Sequence, residues 1–224
     1  KNANLNIFVN EIERELCKEY FNLVTDEYCP HVINDDYLMG PANKRELSIF
    51  NVAWCTKANL KRKGVPDLIR ALGILKERGV TVKTYLAGHE GDGLPWLKEL
   101  VLENKLEEQV KFLGEVTREE KIKMFRTCEL YVQPSHYEGF GLAQAEAMGC
   151  GACVVTCRVG AVEEVVGDAG VYVETGNVEA LAMAIEDVLL NDVLRKSYQG
   201  RAVERVRRLF SKEKKFKIFK ELIK

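Results

Sequence analysis

From residue 47 onward, short apolar runs alternate with amphipathic segments, the pattern of a parallel sheet covered by helices. Strand-like runs fall at 47–54, 80–87, 109–113, 129–133, 152–156 and 170–174. Several are apolar at consecutive positions, as strands buried on both faces require. The segment 65–78 sets Leu68, Ile69, Leu72 and Leu75 at helical spacing and stops at Gly79. Thr117-Arg118-Glu119-Glu120 reads as a capping box ahead of Ile122, Met124 and Phe125, and Asn177 as the cap of a helix carrying Leu181, Ala184, Ile185 and Leu189. Two further helices are expected at 193–209 and 212–223. Right-handed crossovers then give an open, doubly wound α/β unit with C-terminal helices at its flank, whose ligand lies outside the C-terminal ends of the strands.

Residues 1–40 stand outside this rhythm. They hold a short apolar run (Leu5-Asn6-Ile7-Phe8-Val9), a helix-like stretch near 10–22 and a mixed segment ending at Gly40-Pro41, a pair suited to a linker. The expected division is therefore 1–40 and 41–224.

Composition narrows the classes. The 224 residues are 46% hydrophobic and 30% charged, which favours a globular unit over a disordered one, and no apolar run reaches the roughly 18 residues of a spanning helix. A net charge of −1 argues against nucleic acid as a partner, because phosphate-backbone binders carry a basic excess. Seven cysteines, four of them in or beside apolar segments (Cys128, Cys150, Cys153, Cys157), read as free thiols of a reducing, cytoplasmic compartment. Cys153 and Cys157 lack a second ligand pair and His31, His89 and His136 are scattered, so no metal site is expected. The chain opens Lys1-Asn2-Ala3-Asn4 with no initiator Met and no charged-then-apolar leader, and is read as a fragment.

The informative stretch follows the fourth strand-like run: Pro134-Ser135-His136-Tyr137-Glu138-Gly139-Phe140-Gly141-Leu142, then a helix containing Glu146 that ends at Gly149-Cys150-Gly151. Two glycines at a strand-to-helix turn let the backbone approach a ligand closely. The helix N-terminus offers free N–H groups and a positive dipole end to a phosphate. Glu146, in the second turn, is placed to accept from neutral hydroxyls such as those of a ribose. Gly139-x-Gly141-x-x-Gln144 imitates a dinucleotide fingerprint but lacks the third glycine and follows the fourth strand instead of the first, which argues against NAD.

Glu138 and Glu146, separated by seven residues in Glu-Gly-Phe-Gly-x-x-x-x-Glu, resemble the hallmark of glycosyltransferase family 4, the group 1 glycosyltransferases. The resemblance covers roughly residues 47–195. Lys63-Gly64-Val65 is similar to the family's lysine-glycine entry to a helix, Ala87-Gly88 to its glycine turn, and Phe112-Leu113-Gly114 to its third-strand loop. Residues 160–166 are similar to its Gly-Gly-x-Pro-Glu-Val-Val, with Glu163 in place of the proline. What the resemblance implies is the Rossmann-like, C-terminal, donor-binding half of the two-domain GT-B fold, with residues 1–40 a remnant of the N-terminal acceptor domain and its linker. It implies a retaining transferase that moves a sugar from a nucleoside-diphosphate sugar, UDP-sugar favoured, to a saccharide or lipid acceptor held by the missing domain, without a cofactor.

On the same basis Glu146 binds the donor ribose, and the amides of Gly139, Phe140, Gly141 and Leu142 face the diphosphate. Lys63 neutralises the leaving phosphate and Glu138 holds the transferred sugar near the reacting carbon. The family places an arginine shortly before the lysine; here Lys57, Lys61 and Arg62 stand nearby, and Lys57 or Arg62 is the candidate second cation.

Plainer readings accompany these. Lys57, Lys61, Arg62 and Lys63 also suit a solvated basic turn. His136 suits a structural hydrogen bond, and Trp54 and Trp96 suit packing. The basic stretch from Ser211 to Lys224, with Phe216, Ile218, Phe219 and Leu222, suits peripheral association with the cytoplasmic membrane face. It equally suits a last helix packed back on the protein. Two other functions fit the same residues less well: a noncatalytic nucleotide-sugar-binding or assembly module, and a nonhydrolysing sugar-nucleotide epimerase, for which no additional acid/base motif is present.

Overall fold

The computed structural model describes residues 5–23 and 25–222. Ile223, the expected end of the last helix, lies outside them. Six strands form one parallel sheet: β3 (Glu46–Val52), β4 (Lys83–Ala87), β5 (Val110–Gly114), β6 (Cys128–Gln133), β7 (Cys153–Cys157) and β8 (Val171–Val173), in the spatial order β5-β4-β3-β6-β7-β8. Each expected strand is present. The first ends at Val52, two residues before the apolar run does.

Alternation along the strands divides the core in two. Ile49, Leu130, Val132, Cys153 and Val155 point to one face, where α3 (Val65–Glu77), α4 (Leu94–Glu103) and α8 (Val178–Leu190) pack. Phe50, Tyr131 and Val154 point to the other, under α5 (Arg118–Thr127), α6 (Leu142–Gly149), α7 (Val162–Val166) and α9 (Asp192–Phe210). Burial on both faces is why these strands read as continuous apolar runs. The Thr117–Glu120 capping box and the Asn177 cap form as expected. A short helix, α2 (Lys57–Arg62), capped by Thr56, precedes α3, and α10 (Lys212–Leu222) ends the described chain.

Ahead of the sheet, β1 (Asn6–Phe8) and β2 (Asp26–Tyr28) pair in parallel across α1 (Glu11–Tyr20). The following segment runs back along the larger unit. Ile33 N donates to Phe210 O at 2.8 Å, Tyr37 is buried against Phe125, and Gly40 N donates to Gly149 O at 3.2 Å. Glycines make this route possible: a Cβ on Gly149 would lie 2.5 Å from Tyr37 O, and one on Gly151 2.7 Å from Pro41 Cδ. The glycines ending α6 therefore serve chain packing.

Candidate functional site

β3 sits at the centre of the sheet, with the chain stepping outward to β4 on one side and returning to β6 on the other. The crevice beyond the C-terminal ends of β3 and β6 is the point where a doubly wound sheet binds ligands. Its two lips are pinned together by backbone. Gly64, at φ +66°, passes so close to the chain after β6 that a Cβ would lie 2.0 Å from Pro134 O, and His136 N donates to Arg62 O at 2.8 Å. Only glycine tolerates both the left-handed φ and that approach.

This pinning brings Lys63, which closes α2, against the loop after β6. Its ammonium forms an ion pair with Glu138 Oε2 although the two are 75 residues apart in sequence. Beneath lies a buried polar chain. Gln133 Nε2 donates to Glu138 Oε2 at 3.1 Å and to Ser135 Oγ at 3.0 Å, while Tyr131 OH donates to Gln133 Oε1. Burial pushes the Tyr131 phenol well above its ordinary pKa, and the charges of Glu138 and Glu146 push it further, so it stays a neutral donor. The carboxylate of Glu138 is thus held from below by an amide and from the side by a cation. Gly160, at φ +51°, supports the loop from β7: a Cβ there would lie 1.9 Å from Glu138 O.

Gly141, at φ +101°, turns the chain into α6, and among the described residues the backbone N–H groups of residues 139–144 donate to no protein acceptor. A row of free N–H groups at a helix N-terminus is an anion cradle. Gly139 has open space where a side chain would stand, and Leu142 is exposed. Phe140 contributes only backbone, its ring being buried edge-on against His31 and Phe210 at centroid distances of 4.9 and 5.7 Å.

Glu146 lies one turn further along α6, where Lys121 Nζ from α5 donates to its Oε2 at 3.0 Å. Burial acts to lower the pKa of Lys121, but hydrogen bonding to Tyr37 and the Glu146 charge outweigh it, and the net shift is upward. Lys121 therefore stays a cation at neutral pH.

The candidate cations separate. Arg62 remains at the crevice, its Nη1 donating to Tyr137 O at 3.2 Å. Lys57 is drawn to the β4 side: its backbone N–H donates to Asp92 Oδ1 at 2.9 Å, and its ammonium and that of Lys61 lie over the Trp96 ring at 5.6 and 5.9 Å. His136 is hydrogen-bonded to Asp67 Oδ2 at 2.6 Å. Trp54 corrects its expected packing role: β3 stops at Val52, the chain turns outward, and the indole is 70% exposed. It lines a cavity of about 380 Å³ with Val52, Ala53, Asn59, Arg62 and Lys63.

Lys121, Gln133, Tyr131 and Asn10, whose Nδ2 donates to Gly139 O at 3.2 Å, belong to the site and were not indicated by sequence. Gln133 left a trace: it is a polar residue ending an apolar strand. Among the described residues no three His, Cys, Asp or Glu side chains gather closely enough to hold a metal, and no helix is long and apolar enough to cross a membrane.

Comparison with known proteins places this geometry. O-antigen chain mannosyltransferase B of Escherichia coli is 34% identical over 145 residues, covering 63% of this chain and 38% of that one. Glycogen synthase of Mycobacterium tuberculosis is 33% identical over 204 residues, covering 81% and 48%. The chain thus spans less than half the length of these relatives. A mutant of S. aureus TarM, solved in complex with fondaparinux, alpha-GlcNAc-glycerol and UDP, superposes with a TM-score of 0.84 at 22% identity, over 98% of this chain and 44% of that one. That likeness shows the GT-B fold. The family model for glycosyl transferases group 1 matches residues 50–205, well over half of the sequence, and the chain belongs to that family.

Proposed function

We propose that this chain is the donor-binding half of a retaining glycosyltransferase, which takes a nucleoside-diphosphate sugar into the crevice between β3 and β6. The observation that carries the reading is the Lys63–Glu138 ion pair set beside the free N–H groups of residues 139–144. A diphosphate entering there meets a cation and a row of N–H dipoles, with Arg62 at the edge. When the sugar leaves, negative charge builds on the diphosphate, and preorganised donors favour that state over the ground state. Glu138, released from Lys63, accepts from hydroxyls of the transferred sugar, while Glu146 accepts from the ribose and Lys121 keeps its carboxylate oriented. Retention, by front-side attack assisted by the leaving phosphate, follows from the family resemblance.

UDP is the favoured nucleotide because a neighbour of the same fold was solved with it. The acceptor is a saccharide or lipid, with residues 1–40 a remnant of the acceptor-binding domain and its linker. Since this chain matches less than half of its relatives' length, it binds donor but does not transfer sugar by itself. Positioning of two substrates in a closed cleft contributes roughly 7–11 kcal/mol to such reactions.

Calorimetry with UDP, UDP-glucose, GDP-mannose and ADP-glucose tests the reading. Binding is expected to survive EDTA. Glu146→Ala should weaken nucleotide binding about ten- to a hundredfold, the loss typical of hydrogen bonds to a charged group. Glu138→Ala should spare the free nucleotide and weaken the sugar nucleotide. Equal UDP affinity in wild type and Glu146→Ala would sink the assignment.

A further inference from the structure

The lips of the crevice carry two groups that the proposed phosphate and ribose contacts leave unused. Trp54 follows β3 and Tyr137 precedes Glu138, and their side chains are 70% and 60% exposed. They stand on opposite lips, whose backbone carbonyls are joined by a polar bridge. Asn59 Nδ2 donates to Trp54 O at 2.9 Å, Arg62 Nη2 donates to Asn59 Oδ1 at 2.8 Å, and Arg62 Nη1 donates to Tyr137 O. Among the described residues the Tyr137 hydroxyl has no hydrogen-bond partner. Phe50, Phe125, Tyr131 and Phe210 are fully buried, while Tyr20 and Phe21 at the end of α1 and Phe216 on α10 are exposed as Trp54 and Tyr137 are. Trp54 and Tyr137 differ from those three in their place: Trp54 lines the cavity with Asn59, Arg62 and Lys63, and Tyr137 is tied to that wall through the bond of its carbonyl to Arg62.

We infer that Trp54 and Tyr137 form a saccharide-binding rim. One face of a pyranose ring presents C–H groups, which suit the negative face of an aromatic ring, and its edges present hydroxyls, which suit the Arg62 guanidinium, Asn59 and the Tyr137 hydroxyl. A nucleobase also stacks on aromatic rings, but the rim is at the wrong end for it. Glu146 on α6 and its partner Lys121 on α5 mark the nucleoside end of the donor, whereas Trp54 lines one cavity with Lys63 and Tyr137 directly precedes Glu138, where the sugar end falls. The inference rests on the donor-site reading above. It adds an aromatic stacking surface to the hydroxyl contacts already given to Glu138. The pyranose is either the donor's own sugar or that of an acceptor glycan, and the experiment separates the two.

The chain has two tryptophans, so Trp96→Phe leaves Trp54 as the sole indole emitter. UDP is expected to bind this variant with little change in emission. UDP-glucose or GDP-mannose shifting Trp54 to shorter wavelength, with saturation, assigns the ring to the donor sugar. The same response to maltoheptaose or mannotriose assigns it to an acceptor glycan. In the otherwise wild-type chain, Trp54→Ala and Tyr137→Ala should each weaken the responsive ligand roughly two- to tenfold and leave UDP affinity unchanged, and Trp54→Phe should recover part of the loss. If UDP binds but none of the four sugar ligands moves Trp54 emission, or if both alanine variants bind them as wild type does, the rim is overturned. If UDP itself does not bind wild type, the donor-site reading fails instead, and a saccharide response from Trp54 would then support the rim alone.

Discussion

Parallel strands joined by a helix recur along the chain, and two of these units, one at the front and one in the large sheet, come out differently. In β3-α3-β4 the helix buries Val65, Pro66, Leu68, Ile69, Ala71, Leu72, Gly73 and Leu75. In β1-α1-β2 it buries none. Yet α1 is as clearly patterned: Ile12, Leu16 and Tyr20 recur every four residues on one face, and all three are exposed. Periodicity decides that a segment becomes a helix, whereas burial requires a neighbour, and most helical stability in proteins comes from that neighbour. The front unit is held by polar contacts instead. The Glu164 carboxylate accepts from Glu11 N and Ile12 N at 3.0–3.3 Å, Asn10 caps the helix, and Arg14 Nε reaches Asp26 Oδ1 at 2.6 Å.

The sharpest way to break this contrast is to truncate one leucine in each helix. Leu72→Ala removes a fully buried side chain from α3 and should cost about 2–5 kcal/mol in urea unfolding. Leu16→Ala, at 49% exposure on α1, should stay within about 0.5 kcal/mol. Equal costs would mean that the apolar stripe of α1 is covered in solution.

Acid should separate the two regions next. The Arg14 hydrogen bond holds the Asp26 carboxyl below its ordinary pKa, with Lys18 adding to the shift. A depressed folded-state pKa contributes stability that is present above the unfolded value and is lost as pH falls through the folded one. Hydrogen-exchange protection, corrected for intrinsic rates, should therefore drop in α1 between about pH 5 and pH 2. The apolar contacts of β6 and α3 carry no such dependence, so their protection should outlast that of α1. Simultaneous loss in both regions would show that the polar fastening of the front unit is not what fails.

How far the sequence foretold all this follows the same division. β3 to β8 were legible because strands buried on both faces leave continuous apolar runs, and α5 and α8 because their caps are written locally. β2, with Asp26 and Glu27 in three residues, and the short α2 and α7 carry too little pattern to find. Counting apolar positions carried β3 through Trp54, and only the turn at Ala53 exposes that ring. In the site, Glu138 and Glu146 were visible as a local spacing. The pairing of Lys63 with Glu138 depends on Gly64 meeting Pro134, a tertiary contact. Lys121 was hidden in a charge-rich helix face where any lysine looks solvated.

The smallest expected effect asks whether the two regions communicate. Asn10 is buried and does two jobs: its Oδ1 accepts from Glu13 N at 2.7 Å, capping α1, and its Nδ2 donates to Gly139 O at 3.2 Å. The peptide after Gly139 is trans, so its carbonyl and the N–H of Phe140 point in opposite directions. Holding the carbonyl toward α1 thereby turns the Phe140 N–H away from α1 and fixes one member of the proposed phosphate cradle. Serine at position 10 still caps a helix but is too short to reach Gly139. Asn10→Ser should accordingly melt within about 0.5 kcal/mol of wild type, while UDP affinity falls roughly two- to tenfold, the worth of one ordinary hydrogen bond. Asn10→Ala should show the same binding loss together with about 1 kcal/mol of lost stability from the missing cap. If Asn10→Ser binds UDP as wild type does, the front unit rides on the donor half without shaping its site, and the fastening seen at Gly139 serves docking alone.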